Sequence, residues 1–209
     1  MAQNTEDLDA VYGATTPEAS RRLYDDWSDS YDAENLAKGF WLPIVAAGVY
    51  ARHMGRAEGA VLDAGCGTGL VGQSLSLMGY GPITGCDLSP EMIRMAEGTG
   101  AYAGFAEADM GAGLPFDDAA FTGFTCIGSF GPGHAPPESL EHLMRVTCPG
   151  GIGVFNVIEA TYKEQGFGQM IKSLEERGLL RVEERSRPFR AYLLAEPELI
   201  TRIYAVRRL

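Results

Sequence analysis

The nine residues VLDAGCGTG, Val61 to Gly69, constrain the fold of this chain more than any other stretch. An apolar run ends in an acid and then breaks into three glycines spaced two apart. The pattern predicts a buried strand over Ala60 to Ala64, a loop over Gly65 to Gly69, and a helix over Leu70 to Met78, where Leu70, Val71, Ser74, Leu75 and Met78 fall at helical spacing. Strand, glycine loop and helix in that order are the first half of a βαβ nucleotide-binding unit. Glycine is needed where the backbone must approach a ligand or take up positive φ.

Two cofactors compete for such a loop. Gly67 to Gly72 fits G-x-G-x-x-G, and Asp87 follows at about the expected twenty residues, so a nicotinamide dinucleotide has to be weighed. In a dinucleotide site, however, the glycines and the helix N-terminus cradle a pyrophosphate. A carboxylate just before them, Asp63, would repel that group. S-adenosylmethionine carries an ammonium and a sulfonium and no phosphate, so Asp63 at the strand end suits it and opposes the dinucleotide.

The length of 209 residues fits one structural domain with a full core. A net charge of −11 disfavours a nucleic-acid partner, since only Arg202, Arg207 and Arg208 make a locally basic stretch. No apolar run reaches eighteen residues and the first ten are polar and acidic, which predicts a cytoplasmic protein without a membrane partner. Cys66, Cys86, Cys126 and Cys148 stand singly at or beside strand ends, so free thiols are expected rather than a disulfide or a metal site.

Along the chain, residues 1–16 read as a flexible N-terminus and 17–58 as helical, with Leu23, Trp27 and Tyr31 four apart on one helix face and a second helix over Pro43 to His53. The aromatic stripe fits either plain packing on the core or a lid over the pocket. Further strands are expected at Pro82 to Cys86, Ala101 to Ala106, Phe121 to Ile127, Ile152 to Ile158, Leu179 to Arg185 and Leu199 to Val206. Helices are expected at Glu138 to Val146 and Lys163 to Arg177. Asp87 ends the second strand, where a carboxylate can accept from a ribose diol. Ser89-Pro90 then starts a helix whose Met92, with Leu88, can contact adenine or serve the core.

VLDAGCGTG, ITGCDLSPEMI, AEADMGAGLPFDDAAFTGFTCIGSFG and TCPGGIGVFNV, in that order from Val61 to Val157, closely resemble the class I S-adenosylmethionine-dependent methyltransferases. YDDWSDSYDAE, Tyr24 to Glu34, further resembles the Williams-Beuren syndrome region methyltransferase-like group. The resemblance implies an α/β, Rossmann-like fold: a seven-stranded mixed sheet with helices on both faces, formed by residues 59–209, and an N-terminal helical lid. It implies S-adenosylmethionine held by Asp63, Ala64, Gly65, Cys66, Gly67, Thr68 and Gly69, by Asp87, Leu88 and Met92, by Asp109 at the adenine amino group with Met110, and by Ile127 and Gly128. Tyr24 and Tyr31 would touch the methionine end from the lid.

Base-directed methyltransferases carry an acid or amide followed by P-P-Y or P-P-F after the fourth strand. Ile127-Gly128-Ser129-Phe130-Gly131 departs from that pattern, which disfavours amino methylation of bases. A small-molecule acceptor is therefore expected, on a monomer or homodimer, by in-line transfer in which the protein aligns the acceptor and excludes water. His134, on the loop after the fourth strand, is the leading candidate base; Tyr31, Glu159 and His142 are weaker. Two alternatives stand beside this reading, an NAD(P)-dependent oxidoreductase and a non-catalytic S-adenosylmethionine-binding protein.

Overall fold

The computed structural model describes residues 10–55, 59–131 and 133–209. Eight strands form one sheet: β1 Val61–Ala64, β2 Ile83–Asp87, β3 Gly104–Glu107, β4 Phe121–Cys126, β5 Thr147–Ile158, β6 Leu180–Arg185, β7 Phe189–Arg190 and β8 Ile200–Arg208. Their order is β3-β2-β1-β4-β5-β8-β6, with β7 also on β8. The first five strands pair in parallel and β8 runs antiparallel to β5, so the sheet is mixed, as expected. The extra strand is β7, which lies beyond the expected sixth strand, Leu179 to Arg185, that β6 fills. β6 and β7 pair with successive parts of β8, and Ser186-Arg187-Pro188 separates them. Proline lacks the N–H that a continuous ladder requires.

Helices α1 Pro17–Trp27, α2 Tyr31–Ala37, α3 Leu42–Met54, α4 Leu70–Leu77, α5 Pro90–Glu97, α6 Ser139–Val146, α7 Glu159–Glu164 and α8 Phe167–Glu176 accompany the sheet. On one face Leu62, Phe124 and Phe155 pack with Leu140 and Leu143 of α6 and Phe167 and Leu174 of α8. On the other, Val61, Ile152 and Val154 pack with Leu42, Ala46 and Tyr50 of α3 and Leu75 of α4. Strands covered on both faces must be apolar throughout, and all four residues of β1 are buried, Asp63 included.

Three expectations change. The helix expected over Lys163 to Arg177 is two, α7 and α8, parted at Gln165-Gly166, where Gly166 takes φ 82°. Leu23, Trp27 and Tyr31 do not share one helix, because α1 ends at Trp27 and Tyr31 opens α2. Ser28, Asp29 and Ser30 intervene, short polar residues that compete for backbone hydrogen bonds, and Ser28 Oγ donates to the Asp25 carbonyl at 3.0 Å. The rings still meet, with Trp27 and Tyr31 centroids 4.7 Å apart. The expected flexible segment is ordered from residue 10 onward: Ala10 to Tyr12 form a helical turn and Val11 is buried beside Trp27, Ala191 and Tyr192. Residues 1–9 of that expectation, 56–58 of the lid range and Pro132 lie outside the described residues.

Phe124 and Gly153 are partners in the β4–β5 register, and the Phe124 ring fills the space above the glycine. A Cβ at Gly153 would lie 2.1 Å from a ring carbon. Gly153→Ala is expected to cost about 2 to 3 kcal/mol, read by urea denaturation, with part of it recovered when Phe124→Leu is added. Unchanged stability in Gly153→Ala would refute this packing.

Candidate functional site

The carboxyl ends of β1, β2, β3 and β4 open onto one cavity of about 310 Å³, roofed by residues 14–24 and Tyr31. Open α/β sheets bind ligands at this edge. The glycine loop after β1 is pinned from below, since Gly65 N–H and Cys66 N–H both donate to the Cys86 carbonyl, at 2.8 and 3.0 Å. Gly65, Gly67 and Gly69 all have positive φ, at 66°, 52° and 96°. At Gly65 a Cβ would fall 2.0 Å from Ser129 Oγ, so the loop reaches the β4 end only without a side chain.

Asp87 organises the floor. Its Oδ2 accepts from Gly67 N–H at 2.8 Å and its Oδ1 from Ser89 N–H at 3.0 Å. Burial pushes its carboxyl up, while the Ser89 and Gly67 amides pull the other way. Each oxygen keeps a further lone pair, so a diol can be received without breaking the loop. Ser89 Oγ caps α5 by accepting from Met92 N–H at 3.0 Å. Asp109 and Met110 line the cavity after β3, and Asp109 Oδ1 accepts from Gly111 N–H at 2.8 Å. Beyond β4, Gly128 N–H donates to Asn156 Oδ1 at 2.7 Å, which ties the loop to the end of β5.

Of the residues expected at the cofactor, Tyr24, Tyr31, Gly65, Gly67, Asp87, Leu88, Met92, Asp109, Met110, Ile127 and Gly128 line this cavity, together with His134. Asp63, Ala64, Cys66, Thr68 and Gly69 do not. Asp63 is 1% exposed and lies behind the loop, accepting from Tyr102 Oη and Thr125 Oγ1, both at 2.7 Å. A Cβ at Gly72 would lie 2.2 Å from the Tyr102 ring, so the third glycine of G-x-G-x-x-G makes room for that ring. The acid and the last glycine thus belong to one internal plug. Thr68 Oγ1 turns outward to Asp32 Oδ1 at 2.5 Å. Ala64 is buried in the sheet, and Gly69, at the start of α4, faces Tyr102, Thr99 and Ala96. Cys66 is buried, and burial raises its thiol and those of Cys86, to about 12, and Cys126. These three are protonated core thiols at neutral pH.

Burial also holds the Asp63 carboxyl up at about 6, against the Tyr102 and Thr125 hydroxyls. An acid harder to ionise folded than unfolded binds its proton more tightly in the native state. Its contribution to stability is therefore largest at low pH and declines as pH rises from about 4 through 6, by on the order of 3 kcal/mol. The difference between wild type and Asp63→Asn in denaturant unfolding should carry this slope. A difference independent of pH would remove Asp63 from the account.

Sequence reasoning missed Arg21, Ser89 and residues 14–17 as cavity wall. It also missed how the roof is fastened. Ser89 Oγ donates to Asp25 Oδ1 at 2.5 Å, Arg21 pairs with Glu107 at 2.9 Å, and Arg94 pairs with Asp29 at 3.0 Å. With Asp32 on Thr68, three acids of YDDWSDSYDAE, Asp25, Asp29 and Asp32, are thereby clasped to the glycine loop and α5; no local periodicity signals such contacts. Glu159 pairs with Arg202, and His142 faces a groove with Arg145 and Arg177, so neither lines the cavity, whereas Tyr31, the third weaker base candidate, does. Among the described residues no cluster of His, Cys, Asp or Glu could hold a metal, and no helix is long and apolar enough to cross a membrane.

The cavity wall carries Asp87, Asp109 and a single arginine. That Arg21 is already engaged by Glu107 and, at 3.8 Å, by Asp25. A phosphate would meet carboxylates without a free cation, whereas a cationic ligand with a ribose diol fits the lining.

Comparison with known proteins agrees. Residues 61–151 match the family described as Methyltransferase domain. A human protein, methyltransferase-like protein 27, is 30% identical over 141 residues, 65% of this chain and 57% of the relative. Demethylmenaquinone methyltransferase of Chlorobaculum tepidum is 27% identical over 162 residues, 72% of this chain and 64% of the relative. The chain thus spans less than two thirds of the length of these relatives. Among solved structures, the [4+2]-cyclase SpnF superposes with a TM-score of 0.72 at 17% identity, covering 93% of this chain and 97% of that one.

Proposed function

We propose that this chain, whose residues 61–151 match the family described as Methyltransferase domain, is an S-adenosylmethionine-dependent methyltransferase that acts on a small-molecule acceptor in the cavity beneath the N-terminal helices. The observation that carries this reading is the cavity itself. Its floor joins Gly65, Gly67 and Asp87, its far wall brings Asp109, and its roof is clasped over them by Asp25 and Asp32. S-adenosylmethionine, when bound, supplies a methyl group already activated on a sulfonium. Asp87 would hold the ribose, Leu88 and Met92 the adenine ring, Asp109 its amino group, and the glycine loop the methionine portion.

The enclosed volume and the acidic lining support a compact acceptor rather than a polyanion. A relative named for demethylmenaquinone supports the same class. Helices α1 and α2 serve as the lid, packing Trp27 into the core while Tyr24 and Tyr31 face the ligand; α3, expected in the same lid, packs instead on the sheet with Val61 and Leu75.

Calorimetric titration with S-adenosylmethionine, S-adenosylhomocysteine and NADH tests the cofactor. Binding of the first two alone is expected, with protection of residues 17–50 from limited proteolysis. Binding of NADH alone would overturn the reading, and retention of S-adenosylmethionine with no product from any acceptor would leave a binding protein.

A further inference from the structure

The Tyr24 hydroxyl and His134 Nε2 lie 2.6 Å apart, although the residues are 110 positions distant in the chain. One belongs to the lid helix α1 and the other to the loop after β4, and both line the cavity that holds Gly65 and Gly67. The Tyr12 ring packs against the imidazole with centroids 5.5 Å apart, and the Tyr24 ring meets it edge-on at 5.7 Å. Burial holds the Tyr24 hydroxyl protonated far above the usual phenol range, reinforced by Tyr31, Tyr12, Asp87 and Tyr192 around it. A phenol that keeps its proton can donate to Nε2, and in that arrangement the proton of the neutral imidazole sits on Nδ1. The lone pair of Nε2 then faces the phenol, so a proton from a bound acceptor can reach the histidine through the tyrosine.

Resting on the methyltransferase reading, we propose that Tyr24 and His134 form a proton relay for an acceptor whose reacting atom enters as a hydroxyl. Tyr24 Oη takes the acceptor's proton while its own passes to Nε2. The acceptor oxygen forms its bond to the methyl carbon, and the carbon–sulfur bond breaks with its electron pair left on sulfur. The positive charge lost at sulfur reappears on the imidazolium, which returns its proton to solvent. A thiolate acceptor needs no such relay, because it enters without the proton. Tyr24 is the group that touches the acceptor, and His134 acts through it. The lid contact and the proton path are one hydrogen bond, so the relay is assembled only when the lid is down.

The first test is independent of turnover. The chain has three histidines, so nitrogen NMR of the S-adenosylhomocysteine complex can assign each ring. At neutral pH His134 should show a protonated Nδ1 and an unprotonated, hydrogen-bonded Nε2, and Tyr24→Phe should move it toward mixed tautomers. A protonated Nε2 in the wild type would overturn the relay. The second test uses a panel of phenol, catechol and thiophenol acceptors, following S-adenosylhomocysteine formation across pH. Tyr24→Phe and His134→Gln should each lower kcat for the hydroxyl acceptors by about a hundredfold or more, and His134→Gln should retain its affinity for S-adenosylhomocysteine. The double variant should be no slower than the slower single one, because the two groups act as a unit.

The acidic limb of the wild-type pH profile should vanish in His134→Gln, a change that a structural latch would not produce. Persistence of that limb, or losses that multiply in the double variant, would overturn the relay while leaving the methyltransferase reading intact. Failure of the wild type to turn over any acceptor would sink both.

Discussion

Gly65→Val is expected to abolish measurable binding of S-adenosylhomocysteine and to lower stability by about 3 kcal/mol or more. Two independent penalties meet at this residue. Its φ of 66° belongs to the left-handed region, which costs a non-glycine residue about 1 to 2 kcal/mol and a β-branched one more. Its Cβ would also sit 2.0 Å from Ser129 Oγ and 3.0 Å from Ser129 Cβ, between the glycine loop and the end of β4. Relief requires the two walls of the cavity to part, and with them the hydrogen bonds from Gly65 and Cys66 to the Cys86 carbonyl. Calorimetry and urea denaturation read the two effects separately. A Gly65→Val protein that binds as the wild type does would show that the ligand does not rest on this loop. Ser129→Ala offers a check, since removing the hydroxyl should recover some of the steric part and none of the backbone part.

Asp87→Ala should weaken S-adenosylhomocysteine binding by about ten- to a hundredfold, which corresponds to the roughly 1.5 to 3 kcal/mol of two charge-assisted hydrogen bonds to a diol. Stability should fall as well, by about 1 to 2 kcal/mol, because Gly67 N–H and Ser89 N–H lose their acceptor. Asp87→Asn separates the two roles. One amide oxygen can serve a backbone donor, but its NH2 opposes the other, so stability should recover only partly and affinity should stay low. Wild-type affinity in both variants would place the ribose elsewhere. Burial has already raised the Asp87 carboxyl, so affinity should also decline as pH falls and the group takes up its proton.

How much of this was legible in the chain differs between fold and site. Val61 to Gly69 announces its strand, loop and helix because each rests on local rules: apolar length, positive φ and helical spacing. Ser89-Pro90 announces α5 for the same reason, and the Ser89 cap forms as its type requires. The strand ends that carry Asp87 and Asp109 follow directly, and both acids line the cavity. Asp63 shows the limit. Its sequence position next to the glycines is that of a ligand-facing acid, yet the turn at Gly65 sends the chain over it and leaves the carboxylate behind the loop. Tyr102 and Thr125, on other segments, then claim it. The roof was misread in a similar way. The four-residue spacing of Leu23, Trp27 and Tyr31 implies a single helix, but Ser28 to Ser30 break it, and the rings meet across the turn instead.

The sequence by itself determined the succession of strands and helices along the nucleotide-binding half, the glycine loop, the acid that ends β2 and the apolar faces that bury the sheet. These depend on contacts between near neighbours or on a periodicity that any window of the chain displays. Only the tertiary structure decided that Asp63 is internal, that Asp25, Asp29 and Asp32 are clasps for the roof, and that Tyr24 meets His134. Those pairings join segments from 36 to 110 residues apart. Their partners are chosen by how the lid helices and the β4 loop pack over the sheet edge, and no local rule of residue type or spacing contains that geometry.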